Sequence, residues 1–317
     1  MSRTLLLIAI LGLATAALAN DSVAETAAGG LVLRQSRDID MVSEDLYLSR
    51  LEVRVRYVFR NRSPRPVRTI VAFPMPDRNL AAEEEGDIAW PAEFRTRADG
   101  RAVTMRVERK AMLGGVDHSA LLTRLGVPIA GRDRDPALDR ALAALARPAR
   151  ERLAALGLAE GGRPLWTVRE TWYWEQVFPA GRDLAVEHRY RPGLGGTVMT
   201  ALGSRDVRDS DYGRQTIARY CIDEDFIATV ERAARRSEGG MAPYAEDWLS
   251  YVLTTGANWR SPIGDFRLVI DKGDPRNLVS FCGEGVRRIS PTRFEIRRRN
   301  WRPTRDLHVL FLHPLGD

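Results

Sequence analysis

Residues 41–61 read MVSEDLYLSRLEVRVRYVFRN, and their alternation decides the fold class. Leu46 and Leu48 are separated by one residue, and from Leu51 to Phe59 an apolar residue recurs at every second position. A period of two places alternate side chains on opposite faces of a β-strand, one face buried and the other wetter. The phase slips between Leu48 and Leu51, which indicates a bulge or a short break. The stretch therefore predicts β-structure.

The residues on either side extend this pattern. Segment 61–66 contains two prolines, which cannot continue a strand ladder, so it predicts a turn before a second strand at 67–73. Other segments with strand character follow further along the chain. They are 88–95, 102–109, 165–178, 184–190, 248–255, 266–271, 278–281, 294–297 and 307–312.

Two segments have helical spacing instead. Residues of about 117–158 form an Ala-rich helical insertion, which Pro148 should kink or restart. A later helix is predicted at about 223–236, because acidic residues open it and arginines close it. The glycine-rich segment 192–214 reads as a loop and marks a candidate subdomain boundary. The expected fold is mainly β, an antiparallel β-sandwich-like framework with these two helical additions.

The first nineteen residues have the three parts of a secretory signal peptide. Arg3 precedes an apolar run at 5–13, and small residues lead to an A-x-A cleavage site that ends at Ala19, before Asn20. The run is short for a membrane span, and the rest of the sequence contains no stretch of eighteen apolar residues. We therefore expect a signal peptide at 1–19 and one β-rich domain at 20–317. The domain should have no membrane span and should lie in the periplasm or outside the cell.

The formal net charge of +6 and the pI of about 9.7 raise nucleic acid or anionic membrane as partners. Nearly all of the positive charge is arginine, however, and carboxylates are dispersed among the arginines. Export also separates the chain from cytoplasmic nucleic acid, which we exclude as a partner. The densest basic patches, at 287–288 and 297–299, favour a solvated face, with an anionic envelope polymer or lipid as the alternative.

The chain has two cysteines, Cys221 and Cys282. In an oxidising compartment an isolated pair favours one disulfide, whereas a metal site or a catalytic thiol would need further ligands or a base. Closing a loop of this length stabilises the fold by roughly 4 kcal/mol in the chain-entropy model.

No hydrolase, phosphate-binding or metal motif occurs in a fitting context, so no catalytic residue, cofactor or metal is predicted. Candidate binding residues remain. His188 lies on the apolar face of its strand, and the pair Trp172 and Trp174 shares one strand face, which favours core packing for all three. Glu44 and Asp45 form a carboxylate pair, but adjacent strand residues diverge, which favours local turn hydrogen bonding.

Several blocks carry a resemblance to a known family. The blocks NDSVAETAAGGLVL (20–33), MVSEDLYLSRLEVRVRYVFRN (41–61) and VAFPMPD (71–77) are joined by WYWEQVFPAG, HRYRP and a Tyr-Cys pair further on. The chain resembles the exported bacterial family described as domain of unknown function 4424, over most of its mature length. This resemblance implies a secreted or periplasmic domain and supplies no activity or catalytic residue. The layout is also similar to that of von Willebrand-associated inter-α-trypsin modules, an analogy of architecture alone.

Together these observations predict a non-catalytic binding or structural module of the bacterial envelope, whose partner is an envelope component or a protein. The alternative is an envelope hydrolase whose carboxylate works with His188 at a site assembled by folding. The two differ in a testable way. A carboxylate and His188 converging in an open pocket would favour the enzyme, and a buried His188 would exclude this version of it.

Overall fold

The computed structural model describes residues 21–27, 30–81, 92–130 and 136–315. The predicted signal peptide with Ala19 and Asn20, the acidic segment 83–85 and Asp135 lie outside these ranges. Among the described residues, no helix is long and apolar enough to cross a membrane.

The described residues form strands and helices in the following order. The N-terminal strands are β1 (Ser22–Ala27), β2 (Gly30–Arg34), β3 (Ile39–Ser49), β4 (Val53–Asn61), β5 (Val67–Pro74), β6 (Arg78–Asn79), β7 (Ala92–Ala98), β8 (Arg101–Val103), β9 (Arg106–Leu113) and β10 (Val116–Asp117). The insertion and the strands after it are α1 (Ser119–Arg124), α2 (Pro136–Ala143), α3 (Arg147–Ala155), β11 (Ala159–Glu160), β12 (Arg163–Pro164), β13 (Thr167–Phe178), β14 (Asp183–Arg191) and β15 (Gly195–Thr197). The C-terminal elements are α4 (Arg205–Arg208), α5 (Asp211–Tyr220), α6 (Glu224–Arg236), β16 (Tyr244–Tyr251), a 3-10 helix (Thr254–Asn258), β17 (Ile263–Asp271), β18 (Leu278–Phe281), β19 (Arg287–Arg288), β20 (Arg293–Trp301) and β21 (Leu307–Pro314).

Three sheets carry the fold. The largest has the strand order β19-β20-β17-β3-β4-β14-β7-β8, and a four-stranded sheet has the order β15-β16-β21-β18. The third follows the path β10-β9-β13-β5-β1-β2, and β6 pairs with β13 at its side. All of these pairings are antiparallel except β3–β17, which is parallel. The predicted fold class, a mainly β, sandwich-like framework, is confirmed.

Residues from all three sheets meet in the main apolar core. Tyr57 and Phe59 come from the largest sheet, Phe73 from the path β10-β9-β13-β5-β1-β2, and Tyr251 and Phe311 from the four-stranded sheet. The opposite face of the four-stranded sheet packs on α5 and α6, and the helical insertion forms a separate apolar cluster with β9 and β13. The core therefore lies between sheets, where alternating strands direct their apolar faces.

The phase slip at Leu48–Leu51 is a tight turn between two strands, and the predicted long strand is a hairpin. The Ser49 amide donates to the Glu52 carbonyl at 2.9 Å, and the Ser49 hydroxyl accepts from the Glu52 amide at 3.0 Å. A hairpin changes which positions face the core, because the second strand starts its own alternation.

The prediction of a single strand at 102–109 was wrong, because β8 and β9 share this segment. The turn at Asp99 and Gly100, both with positive φ, joins β7 to the short β8. The chain then leaves this sheet, and β9 pairs with β13 in another. Residues 88–91 of the preceding predicted strand lie outside the described ranges.

In the parts of the helical insertion that the structure describes, the prediction is confirmed by three short helices, and α3 begins beside Pro148, where a restart was predicted. The later helix is confirmed as α6, whose N-cap Asp223 accepts from the Phe226 amide at 2.7 Å.

The prediction of one loop at 192–214 was wrong in part, since β15, α4 and the start of α5 lie there. Gly213 lies inside α5 and does not break the helix. A Cβ at this position would lie 2.1 Å from the Val207 carbonyl oxygen, so a glycine is needed for the close packing of α4 against α5. The candidate subdomain boundary at this segment stays a prediction.

Candidate functional site

His188 is fully buried in the core and is the middle member of a three-residue hydrogen-bond chain. Alternation along β14 directs it inward, where its Nε2 atom is 3.1 Å from Asp21 Oδ1 and its Nδ1 atom is 2.8 Å from Thr96 Oγ1. Asp21 and His188 are fully buried, and Thr96 is 3% exposed. We call Asp21, His188 and Thr96 the buried triad. Its order, carboxylate, imidazole and hydroxyl, is that of a hydrolase triad, but solvent does not reach it.

Aromatic rings enclose the buried triad. The rings of Tyr57, Phe73, Phe94 and Trp174 have centroids 4.8–5.9 Å from the His188 ring. Burial raises the pKa of Asp21, and the attraction of His188 opposes this shift. Because Asp21 precedes β1 while His188 and Thr96 belong to β14 and β7, the buried triad joins two sheets. Its position excludes the hydrolase in which His188 meets a carboxylate in an open pocket.

Glu44 and Asp45 lie on opposite faces of β3, as adjacent strand residues do, and both lie inside this strand, so the prediction of local turn hydrogen bonding is wrong. Glu44 is 1% exposed, and its charge helps to raise the pKa of the buried Tyr57 and Tyr251 hydroxyls, for which burial is the largest cause. Asp45 faces solvent and forms an ion pair with Arg267 at 3.2 Å. The structure therefore does not bring the two carboxylates into one site.

Trp172 and Trp174 both take part in packing. Trp174 is 4% exposed, and its indole N–H donates to Gln176 at 3.0 Å. Trp172 is partly buried and stacks on Phe94, with centroids 5.0 Å apart and planes at 8°. The side chains leave no paired tryptophan surface for a ligand to stack on.

The disulfide between Cys221 and Cys282 is present. Cys221 ends α5 in the left-handed region, with φ of 51°, and Cys282 directly follows β18. The bond therefore fixes the chain after β18 to the helical layer that covers the four-stranded sheet.

An open cleft lies beside this disulfide, between the largest sheet and the four-stranded sheet. We call it the inter-sheet cleft; its volume is about 480 Å³. Its apolar floor consists of Leu253, Phe266, Leu268, Ile296 and Leu307, each buried. Pairing of β17 with β20 sets Phe266 opposite Arg298 and Leu268 opposite Ile296, so these four side chains share one sheet face.

The rim of the inter-sheet cleft is aromatic and charged. Trp301 packs against Phe266, with ring centroids 4.4 Å apart. Arg298 donates to the Glu284 carbonyl at 2.7 Å, which holds the chain after Cys282 against β20. Arg305 is exposed at the rim and forms no hydrogen bond or ion pair within the described ranges. The cleft thus combines an apolar floor with an uncommitted guanidinium.

The basic patches are largely compensated by carboxylates. Glu295 is 4% exposed and accepts from Arg267, Arg287 and Arg297, and these arginines hold its pKa at about 2. Arg299 pairs with Asp265 at 3.5 Å. This pairing supports the interpretation of the patches as a solvated face.

Ser250 and His308 form a pair that the sequence did not indicate. They face each other across β16 and β21, with the Ser250 hydroxyl 2.9 Å from His308 Nδ1. Burial, with a smaller effect from Arg219, lowers the pKa of His308 to about 4. Such a histidine is neutral at pH 7 but a weak base.

Most residues of the buried triad and the inter-sheet cleft are brought together by contacts between segments that are distant in sequence. Asp21, Thr96, Trp301 and Arg305 were not predicted, because their neighbours are distant in sequence. The one usable signal was the odd arginine-rich strand β20, which borders the inter-sheet cleft. In the described part of the chain, no group of three or more His, Cys, Asp or Glu residues could hold a metal ion.

A family model described as Domain of unknown function (DUF4424) matches residues 19–310. The chain belongs to this family. The match confirms the resemblance found in the sequence, and no curated protein matches the chain.

Among solved structures, one similar fold is a Legionella pneumophila protein named as a candidate nutrient binding protein. The two share 15% identity with a TM-score of 0.45, covering 88% of this chain and 68% of the other. An M1 zinc metallopeptidase from Deinococcus radiodurans shares 10% identity with a TM-score of 0.28, and the match covers 87% of this chain and 43% of the peptidase. Likeness at these levels carries no functional argument.

Proposed function

We propose that this DUF4424 chain is an exported, non-catalytic binding module of the bacterial envelope, and that its ligand occupies the inter-sheet cleft. The observation that carries the proposal is the cleft itself, where buried core side chains border an opening of about 480 Å³. Pockets of roughly 300–1,000 Å³ with apolar walls and a few polar groups are typical ligand sites. The Cys221–Cys282 disulfide supports an oxidising compartment.

Export is tested on the protein expressed with its full N-terminus. Periplasmic or secreted material should begin at Asn20 by N-terminal sequencing and should contain no free thiol without reduction. Retention of the unprocessed chain in the cytoplasm, or two reactive thiols in the native protein, would contradict export.

Ligand binding is tested on protein purified from the envelope fraction without denaturation. An organic extract is compared by mass spectrometry with the extract of Trp301→Ala, which removes the aromatic rim. We expect a compound near one equivalent in the wild type and depleted in the variant. Identical extracts that contain no bound compound would contradict the binding role.

A hydrolase remains the second candidate because of the Ser250–His308 pair. A fluorophosphonate probe should label Ser250 in the native protein if that pair is reactive, with His308→Gln as the matched control. Absence of labelling would remove this candidate, whereas labelling that His308→Gln abolishes would favour it over the binding module.

A further inference from the structure

We propose that the inter-sheet cleft takes an amphipathic anion, a molecule with an apolar body and one carboxylate or phosphate head. This inference rests on the proposed function, since it names the ligand class for the same site. Three observations support it: the origin of the floor, the hydrogen bonds that already occupy Asp306, and the contrast between Arg305 and Arg298.

The floor of the cleft belongs to the main core. Leu253, Phe266, Leu268, Ile296 and Leu307 are members of the cluster that fills the space between the sheets. At the cleft this part of the cluster borders an opening. Because these side chains are only 2–6% exposed, an apolar ligand body placed there would mainly remove its own surface from water, at roughly 25 cal/mol per Å².

Two carboxylates lie at the rim, Asp306 and Glu284, and Asp306 is committed to the protein's own hydrogen bonds. Asp306 Oδ1 accepts from the Leu253 amide, the Thr254 amide and the Thr254 hydroxyl, at 2.8–3.1 Å. Glu284 is paired with Arg298 at 3.5 Å. Asp306 therefore holds the protein together and offers little to a cationic ligand, whereas the Glu284 side chain is 93% exposed and its ion pair is a weak surface contact.

Arg305 is committed differently from Arg298, the other arginine that lines the cleft. Arg298 donates to the Glu284 carbonyl oxygen and pairs with the Glu284 carboxylate. Arg305 has no such partner among the residues described, yet it lines the cleft. A guanidinium beside an apolar floor can bind a carboxylate or phosphate by two parallel hydrogen bonds, which are charge-assisted and therefore strong.

The test titrates the mature chain with decyl probes by calorimetry, below their critical micelle concentrations. Decanoate and decyl phosphate carry the two anionic heads, 1-decanol is neutral, and decyltrimethylammonium is cationic. The variants are Arg305→Gln, which removes the free guanidinium, and Trp301→Ala, which removes the aromatic rim. Arg299→Gln is the matched control, because Arg299 is an exposed arginine of β20 that pairs with Asp265.

We expect one anionic probe or both to bind at one site, more tightly than 1-decanol and decyltrimethylammonium. Arg305→Gln should weaken anion binding about tenfold, the loss of one charge-assisted contact, and leave 1-decanol unchanged. Arg299→Gln should bind as the wild type does. Preference for decanoate would indicate a free acyl carboxylate, and preference for decyl phosphate a phospholipid-like head.

Two outcomes would overturn the ligand class and leave the binding function standing, and a third would overturn both. Equal binding of 1-decanol and the anions, with no effect of Arg305→Gln, would show an apolar site without charge selection, and the binding function would stand. If no probe binds while the envelope extract still yields a compound that Trp301→Ala loses, the class is again wrong and the function stands. If neither titration nor extract reveals a ligand, both proposals fail.

Discussion

The buried triad and the inter-sheet cleft both lie between sheets, and both combine aromatic rings with charged groups. In the buried triad each charged or polar group points at another, and four rings close the surrounding space. In the cleft the rings border an opening, and Arg305 has no partner among the described residues. The two regions differ in their access to solvent. The buried triad has the residue types of a catalytic triad but serves packing, whereas the cleft has no catalytic residue types but is open to a ligand.

The largest expected effect is a loss of folding stability when the buried triad is broken. His188→Ala leaves the Asp21 carboxylate buried without its partner, which should lower the free energy of unfolding by about 4 kcal/mol. Urea unfolding measures it, with the partly exposed His313→Ala as a control expected to change little. In the double variant, Asp21→Asn should restore part of the loss, because the buried charge is gone. A loss below about 1 kcal/mol in His188→Ala would mean that the buried triad does not stabilise the core.

The second effect concerns the disulfide that borders the cleft. Cys221→Ser with Cys282→Ser should lower the free energy of unfolding by roughly 4 kcal/mol, since the unfolded chain regains the freedom of a loop with a sequence separation of 61 residues. Ligand binding in the cleft should weaken as well, because Cys282 and Gly283 line it. Unfolding and titration of the same variant measure both effects. Unchanged binding would show that the cleft keeps its shape without the bond.

The third effect depends on pH. The arginines around Glu295 hold its pKa at about 2, below the ordinary value of 4.5. A lowered folded-state pKa contributes stability that is present above pH 4.5 and is lost as the pH falls towards 2. Glu295→Gln should therefore cost roughly 2 kcal/mol at pH 7, and the difference from the wild type should shrink as the pH falls through this range. Unfolding curves from pH 7 to pH 2 measure it, and a constant difference would contradict the assignment.

The smallest effect on stability belongs to the cleft. Arg305→Gln removes an exposed side chain without a partner in the described chain, so the free energy of unfolding should change by no more than about 0.5 kcal/mol. Its effect on anion binding should be the larger of the two. A substantial loss of stability in Arg305→Gln would show that Arg305 stabilises the fold, as His188 is expected to do, and would remove the contrast between the two regions.

Much of the fold could be predicted because strand period and helix ends are local signals. The alternation at Val53–Asn61 and the acidic start of α6 both depend on residues close in sequence. The loop at 192–214 was misread because a glycine signals a break locally, whereas Gly213 is required by the approach of α4 in space. The phase slip at 48–51 was predicted as a bulge or a short break, and it is a break, the turn between β3 and β4. The slip alone could not decide between the two.

The site was less predictable, because its residues meet through pairings that span the chain. His188 was correctly placed on an inward face, but its partners Asp21 and Thr96 lie 167 and 92 residues away. Sequence spacing likewise could not show that Glu295 would compensate three arginines, or that Arg305 would remain without a partner in the described structure. Which side chains are buried, and which charged groups form ion pairs, is decided only when the sheets pack together.

The parallel pairing of β3 with β17 has a consequence for the order of folding. The strands β3, β4, β14 and β7 all occur within the first 191 residues, whereas β17 begins at Ile263. Until that strand arrives, one edge of β3 has unpaired backbone groups, and such an edge invites pairing with other chains. Contacts of this separation also form slowly. Before β17 pairs with β3, the largest sheet is therefore incomplete, and this edge of β3 needs protection.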